Sequence, residues 1–190
     1  QPMVSLGILL ALWIVVTVAI GVRGRMRTGA GWSANFYGMH LAHLGVAVAV
    51  IGVTMVSAYQ TERNVRMEVG DIVTVKDYTF RFVGVKDLEG PNYKGARGTL
   101  EVSRNGKPVS TLHPEKRIYT ASGMPFTESA IDYGFTRDLY TALGESLDGG
   151  AWSVRLFHKP FVVWIWIGAV LMALGGVLAI TDRRYRTSRK

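Results

Sequence analysis

The stretch that decides the architecture is residues 36–58, which reads FYGMHLAHLGVAVAVIGVTMVSA. It contains no Asp, Glu, Lys or Arg. A helix needs roughly 20 consecutive apolar residues to cross about 30 Å of hydrocarbon, so this stretch predicts a transmembrane helix. Residues 4–22 and 160–180 form two further blocks of the same kind. The chain is therefore predicted to be an integral membrane protein with three spans, assigned to residues 1–22, 36–58 and 160–181.

The first span begins at Gln1 and lacks the small-residue cleavage site of a signal peptide. We interpret it as a true span in a chain that has lost upstream sequence.

Charge is distributed unevenly along the chain. The chain has 22 basic and 14 acidic residues, and residues 59–159 contain 14 of the basic and 13 of the acidic ones. The other basic residues lie beside the spans: Arg23, Arg25 and Arg27 in a loop at residues 23–35, and Arg183, Arg184, Arg186, Arg189 and Lys190 in a tail at residues 182–190. Short basic segments stay in the cytoplasm, which predicts that residues 59–159 lie on the outer side of the membrane. Because orientation accounts for the basic residues, nucleic-acid binding is disfavoured.

The segment between the second and third spans carries strand signals. Strands are predicted at residues 71–75, 78–85, 127–133 and 152–158, and residues 98–103 and 108–113 form a hairpin about Asn105-Gly106. Residues 136–145 fit either a helix or a strand, and we favour a strand. The sum is a compact antiparallel sheet or small barrel. The chain has no cysteine, which excludes disulfides and thiolate chemistry from it.

Two histidines are the only ionisable side chains inside the predicted spans, and intramembrane histidines often mark functional sites. On a helical wheel Gly38, Ala42, Gly45, Ala49 and Gly52 form one small-residue stripe, suited to close helix packing. His40 and His43 lie on the opposite side near Ala47, a small residue that would leave room for a bulky group. Spacing alone leaves two interpretations open, namely heme ligation by a neutral imidazole and hydrogen bonding between helices.

The outer segment offers little for catalysis. His113 and His158 are isolated histidines without a second ligand at metal spacing, and no nucleophile has a local partner signature. We therefore predict docking and positioning rather than catalysis for this domain.

Several segments, in order along nearly the whole chain, match one known family. The helix GMHLAHLG at residues 38–45 resembles the "G-x-x-L-A-H-L-G" helix of the CcmF family of cytochrome c maturation heme lyases. Further similar segments are ERNVRM at 62–67, GPNY at 90–93, PEKRIY at 114–119, MPFTESAI at 124–131, TRDLY at 136–140 and KPFVVWIW at 159–166. The resemblance covers only the C-terminal part of that larger family.

The resemblance implies a function and a cofactor. CcmF-like proteins attach heme to apocytochrome c at the outer face of the membrane and hold a b-type heme between two membrane histidines. One of that pair maps onto His43, as the axial ligand of heme iron, whereas His40 falls at a variable position and receives no ligand role.

The resemblance also implies partners. These are the remaining part of the lyase, as an N-terminal region or a separate chain, the heme chaperone CcmE, apocytochrome c, its thiol-handling partner CcmH, and membrane lipid. The second heme ligand and the tryptophan-rich heme-binding segment belong to family regions outside these residues, so this chain is not expected to be catalytic alone. The alternative is a non-enzymatic membrane scaffold whose β domain binds proteins; a transporter is disfavoured by the absence of an intramembrane carboxylate.

Overall fold

The computed structural model describes residues 2–29 and 31–182 of the chain. Three helices carry the apolar blocks: α1 (Pro2–Thr28), α2 (Ala34–Tyr59) and α3 (Val162–Ile180). Each is long and apolar enough to cross a membrane. The strands all lie between α2 and α3, and Gln60–Lys159 forms a compact unit separate from that of the helices. The predicted class, three membrane helices with an inserted antiparallel β domain, is confirmed.

Within the helical unit α2 lies between the other two helices and packs on both. Most of the large apolar side chains of α1 and α3 stay exposed within this chain. Such faces are typical of helices that meet lipid or other spans.

The prediction of a basic loop at residues 23–35 is wrong for residues 23–28, because α1 continues through Arg23 and Arg25 to Thr28. Arg and Met are good helix formers, and cations in the last turn interact favourably with the helix dipole. Arg25 also donates from Nε to the carbonyl of Gly31 at 3.1 Å and lies 5.0 Å from the ring of Phe36. Of the predicted basic tail, residues 183–190 lie outside the described residues.

Ten strands build the other unit. They are β1 (Thr61–Met67), β2 (Ile72–Val75), β3 (Tyr78–Glu89), β4 (Tyr93–Arg104), β5 (Lys107–Leu112), β6 (Glu115–Tyr119), β7 (Pro125–Glu128), β8 (Ala130–Asp132), β9 (Arg137–Ser146) and β10 (Trp152–Pro160). Because β10 includes Pro160, the third helix begins two residues later than the span predicted from residue 160.

The strands form two sheets rather than the single sheet or small barrel that was expected. One has the order β1-β10-β9-β8, and the other has the order β2-β3-β4-β6-β7 with β5 also paired to β4. Fully buried side chains from both sheets meet in one core, among them Met67, Phe80, Phe82, Leu100, Leu139, Leu143 and Leu156. The unit is a β-sandwich, in which each sheet contributes one apolar face.

Several strand predictions can be compared directly. The hairpin is confirmed, since Asn105 and Gly106 have φ of 50° and 75° between β4 and β5. Of the ambiguous residues 136–145, all but Thr136 lie in β9, so the favoured strand is confirmed. The single strand predicted at 127–133 is wrong, because β7 and β8 lie in different sheets on either side of Ser129.

Two strands, β1 and β6, were not predicted. In β1 only Val65 and Met67 are apolar, so the alternation that indicates a half-buried strand is too short to recognise.

Candidate functional site

One face of α2 packs on α3 through glycines. A Cβ atom on Gly45 would lie 2.7 Å from the carbonyl oxygen of Gly168, and one on Gly168 would lie 2.6 Å from that of Gly45. Gly38 and Gly175 face each other in the same way: a Cβ atom on either one would lie 2.5 or 2.6 Å, respectively, from the carbonyl oxygen of the other. A side chain at any of these positions would have to displace backbone. The small-residue stripe predicted from the sequence is therefore the α2–α3 interface.

A second face of α2 packs on α1 and contains His40. Its Nδ1 lies 2.8 Å from the carbonyl oxygen of Phe36, whose ring is 4.0 Å away, and its Nε2 would lie 2.7 Å from a Cβ atom on Gly21. The side chain is 9% exposed. Both ring nitrogens thus face protein, which makes His40 a packing residue of the α1–α2 interface.

Ala47 lies on this second face as well. It is 2% exposed, and it stands two turns from His40 and two turns from Thr54, each of which packs against a glycine of α1. The expectation that Ala47 leaves room for a bulky group beside His43 is wrong, because α1 takes up that room.

His43 projects from a third face of α2, which neither α1 nor α3 covers. It is exposed, and so are Met39, Val46 and Val53. These residues lie four residues before, three residues after and ten residues after His43, on the same side of the helix. Spacing had grouped the two histidines on one side. The structure separates them, with His40 inside the helical unit and His43 on its open surface.

The ring of His43 is held in one orientation by its own helix. Its Nδ1 lies 2.7 Å from the carbonyl oxygen of Met39, one turn earlier. A carbonyl only accepts hydrogen bonds, so Nδ1 carries a proton, and in the neutral form of the ring the lone pair is on Nε2. Metal-bound histidines usually have this arrangement, in which a hydrogen bond from the second nitrogen fixes the tautomer. The site can therefore offer an oriented imidazole to a metal outside the helical unit.

The N-terminus of α2 is fixed by two side chains. The hydroxyl of Ser33 accepts from the backbone N–H of Phe36 at 3.2 Å, and the buried carboxylate of Asp182 accepts from that of Asn35 at 2.9 Å. An anion at this position also stabilises the helix dipole. Since α2 begins at Ala34, His43 lies about 14 Å along it at 1.5 Å per residue.

The histidines of the β unit have no such arrangement. His113 is exposed, and its Nδ1 lies 3.3 Å from the hydroxyl oxygen of Thr99. His158 is half-buried with its ring 5.9 Å from that of Tyr78, and burial first, then Lys76 and Arg137, lower its pKa. Over the described ranges 2–29 and 31–182, no three His, Cys, Asp or Glu residues are grouped as metal ligands.

One part of the site was missed at the sequence level. Met39 contributes the carbonyl that orients His43, and the spacing of four residues was a usable signal, because a histidine in a helix can reach the carbonyl one turn back. The exposed apolar residues Val46 and Val53 could not be assigned to an open face without knowing where α1 packs.

Comparisons with known proteins agree with this architecture. Residues 58–160 match a family model described as the CcmF C-terminal beta-sandwich. The chain is 48% identical over 97% of its length to the cytochrome c-type biogenesis protein CcmF of Escherichia coli, and 52% identical over 88% to that of Pseudomonas aeruginosa. It spans only 28% and 26% of those two proteins.

A solved structure described as the cytochrome c heme lyase CcmF superposes with a TM-score of 0.77 at 20% identity, over 94% of this chain and 33% of that one. At this identity the match shows the fold. Together with the matched sandwich and the relatives, it means that this chain belongs to the CcmF family of cytochrome c biogenesis proteins.

Proposed function

We propose that His43 is an axial ligand of a b-type heme held within the membrane by a heme lyase of which this chain is the C-terminal part. One observation carries the proposal: His43 is exposed on an apolar face of α2, while its Nδ1 is bonded to the carbonyl of Met39. His40 cannot present a nitrogen to a ligand in this way, because its ring is packed between α1 and α2.

The residues around His43 fit an iron porphyrin. Met39, Val46 and Val53 are exposed apolar side chains on the same face, and such side chains suit the faces and edges of a macrocycle. When bound, the heme would supply reversible one-electron transfer. The chain itself orients the imidazole and, through the packing of α1 and α3 on α2, holds the ligand helix at a fixed rotation.

The second axial ligand, in this proposal, comes from outside these 190 residues. His40 is enclosed by α1, and His113 and His158 belong to the β-sandwich. This fits the extent of the chain, which spans about a quarter of the curated relatives it matches.

We assign a positioning role to the sandwich, on the periplasmic side of the bacterial inner membrane. Its partners there would be apocytochrome c, the heme chaperone CcmE and the thiol-handling protein CcmH, and it would help to bring substrate and heme together. The nearly equal numbers of basic and acidic residues in 59–159, beside basic segments at the span ends, support this orientation.

The test is the heme content of the intact protein purified with His43→Ala or His40→Ala. We expect His43→Ala to lose most of the low-spin b-type absorption and to regain part of it when imidazole is added, because imidazole can enter the vacated coordination site. His40→Ala should keep most of the heme. Full low-spin heme in His43→Ala would refute the ligand assignment and favour a scaffold without heme.

A further inference from the structure

A loop with two exposed aromatic side chains joins β8 to β9. Tyr133 is 77% exposed and Phe135 is 64% exposed, with Gly134 between them. Exposed apolar side chains that lie close together can form part of a contact with another surface. Nothing in the positioning role of the sandwich accounts for this pair.

The loop is closed and held by hydrogen bonds. The backbone N–H of Gly134 donates to the buried carboxylate of Asp138 at 3.1 Å, and Arg137 donates to the carbonyl of Asp132 at 3.2 Å and forms an ion pair with its carboxylate. A Cβ atom on Gly134 would lie 2.5 Å from the carbonyl oxygen of Arg137, so only glycine fits this turn. The two aromatic side chains are thus presented by a fixed loop.

The contacts of Arg137 identify the end of the sandwich on which this loop lies. Its Nε donates to the hydroxyl of Tyr78 at 3.0 Å, and the ring of Tyr78 lies 5.9 Å from that of His158. His158 pairs with Thr61 in the β1–β10 ladder. The loop, the start of β1 and the end of β10 therefore share one end of the sandwich.

This is the end at which the chain enters and leaves the sandwich. Only Gln60 separates the last residue of α2 from the first residue of β1, and only Phe161 separates β10 from α3. The end of the sandwich that carries the loop is therefore the one joined directly to the two predicted spans.

Two lysines lie at the same end of the sandwich. Lys76 is in the β2–β3 turn and Lys107 begins β5, whereas Arg104 is already paired with Asp77 at 3.2 Å and the Nζ of Lys159 lies over the rings of Tyr140 and Phe157. Lys76 and Lys107 are exposed.

We propose that the β8–β9 loop is a membrane-interface anchor, with Tyr133 and Phe135 in the headgroup region and Lys76 and Lys107 against the phosphates of anionic lipids. Aromatic side chains are enriched at this depth, and basic side chains are attracted to anionic lipid surfaces. Lipid is favoured over a protein partner because the loop belongs to the end of the sandwich that is joined directly to α2 and α3, the two predicted spans.

A nitroxide label measures the depth of the loop directly. The chain contains no cysteine, so Tyr133→Cys gives it a single labelling site. The intact protein is reconstituted in vesicles of phosphatidylethanolamine and phosphatidylglycerol, and collisions are measured with oxygen, which partitions into lipid, and with a water-soluble nickel chelate. We expect the label at Tyr133 to be accessible to oxygen and to have lost accessibility to the chelate. Phe135→Cys gives a second site if the first variant folds poorly.

Met124→Cys is the matched control. Met124 is as exposed as Phe135 but follows β6 at the opposite end of the sandwich, roughly 35 Å away along the 12 residues of β3. Its label should be open to the chelate. Equal chelate accessibility at both sites would overturn the proposal, as would protection at Tyr133 from both reagents, which would indicate a protein partner.

The lysines are tested separately by the double substitution K76Q/K107Q. We expect the Tyr133 label in this background to lie shallower and to regain accessibility to the chelate. An unchanged depth would refute the part assigned to lysine.

Discussion

His40 and Gly21 occupy complementary space, and this makes a prediction at the scale of single residues. A Cβ atom on Gly21 would lie 2.7 Å from Nε2 of the imidazole. We expect Gly21→Ala to destabilise the packing of α1 on α2 by about 1–3 kcal/mol, the usual cost of overfilling a packed site. In a His40→Ala background the same change should cost much less. Thermal unfolding of the four variants gives the coupling, and independent effects would contradict the contact.

His158 makes a second residue-scale prediction, for the pH dependence of stability. Burial, followed by Lys76 and Arg137, lowers its pKa in the folded protein below the ordinary 6.5. Below about pH 6.5 His158 is protonated in the unfolded chain but less so in the folded protein. The free energy of unfolding therefore decreases as the pH is lowered. We expect the melting temperature to decline between about pH 7.5 and pH 5.5 and to decline less in His158→Gln.

His113→Gln is the control for this experiment, because His113 is exposed and should leave the pH dependence unchanged. A decline in His158→Gln that matches the unsubstituted protein would show that other groups are responsible.

The two membrane histidines show what could and could not be predicted from the sequence at this scale. Spacing identified both as candidates, and the family resemblance selected His43. Helical periodicity could not say that α1 covers His40 and Ala47 while leaving His43 open, because that depends on where a second helix packs. The contact between Gly21 and His40 joins residues 19 positions apart, and no local pattern reports it.

At the scale of elements, the α2–α3 interface contains a built-in comparison between two adjacent glycines. A Cβ atom on Gly175 would lie 2.6 Å from the backbone of α2, whereas one on Gly176 would meet nothing described within 4 Å. We expect Gly175→Ala to destabilise the protein by about 1–3 kcal/mol. Gly176→Ala should be neutral or slightly stabilising, because alanine is the better helix former.

The measurement is thermal unfolding of both variants in the same detergent, together with heme content. Because α3 helps to set the rotation of α2, Gly175→Ala should also lower heme content at fixed protein. Equal melting temperatures for the two variants would contradict the close packing.

Elements were predicted well where a local signal was strong. Three apolar blocks became three helices, and Asn105-Gly106 became a tight turn because both residues tolerate positive φ. Strands without an alternating pattern were not found, and β7 and β8 were merged, because the change of sheet at Ser129 depends on long-range pairing.

At the scale of the whole molecule, the distribution of charge predicts which compartment each part occupies. Arg23, Arg25 and Arg27 lie in the last two turns of α1, and the C-terminal tail is basic as well, while residues 59–159 are nearly neutral. Basic segments at span ends are retained in the cytoplasm. The predicted orientation has the C-terminal end of α1 inside and the sandwich outside.

Single cysteines can test this orientation, since the chain has none of its own. Ser122, in the β6–β7 turn, and Thr28, at the end of α1, are both exposed and polar, which makes them a matched pair. In intact spheroplasts a membrane-impermeant maleimide should label Ser122→Cys and leave Thr28→Cys unlabelled, and in inside-out vesicles the pattern should reverse. The reaction depends only on which side of the bilayer the thiol faces, so labelling of Thr28→Cys in spheroplasts would invert the topology. His43 would then lie in the outer half of the membrane, and the sandwich could not meet a periplasmic cytochrome.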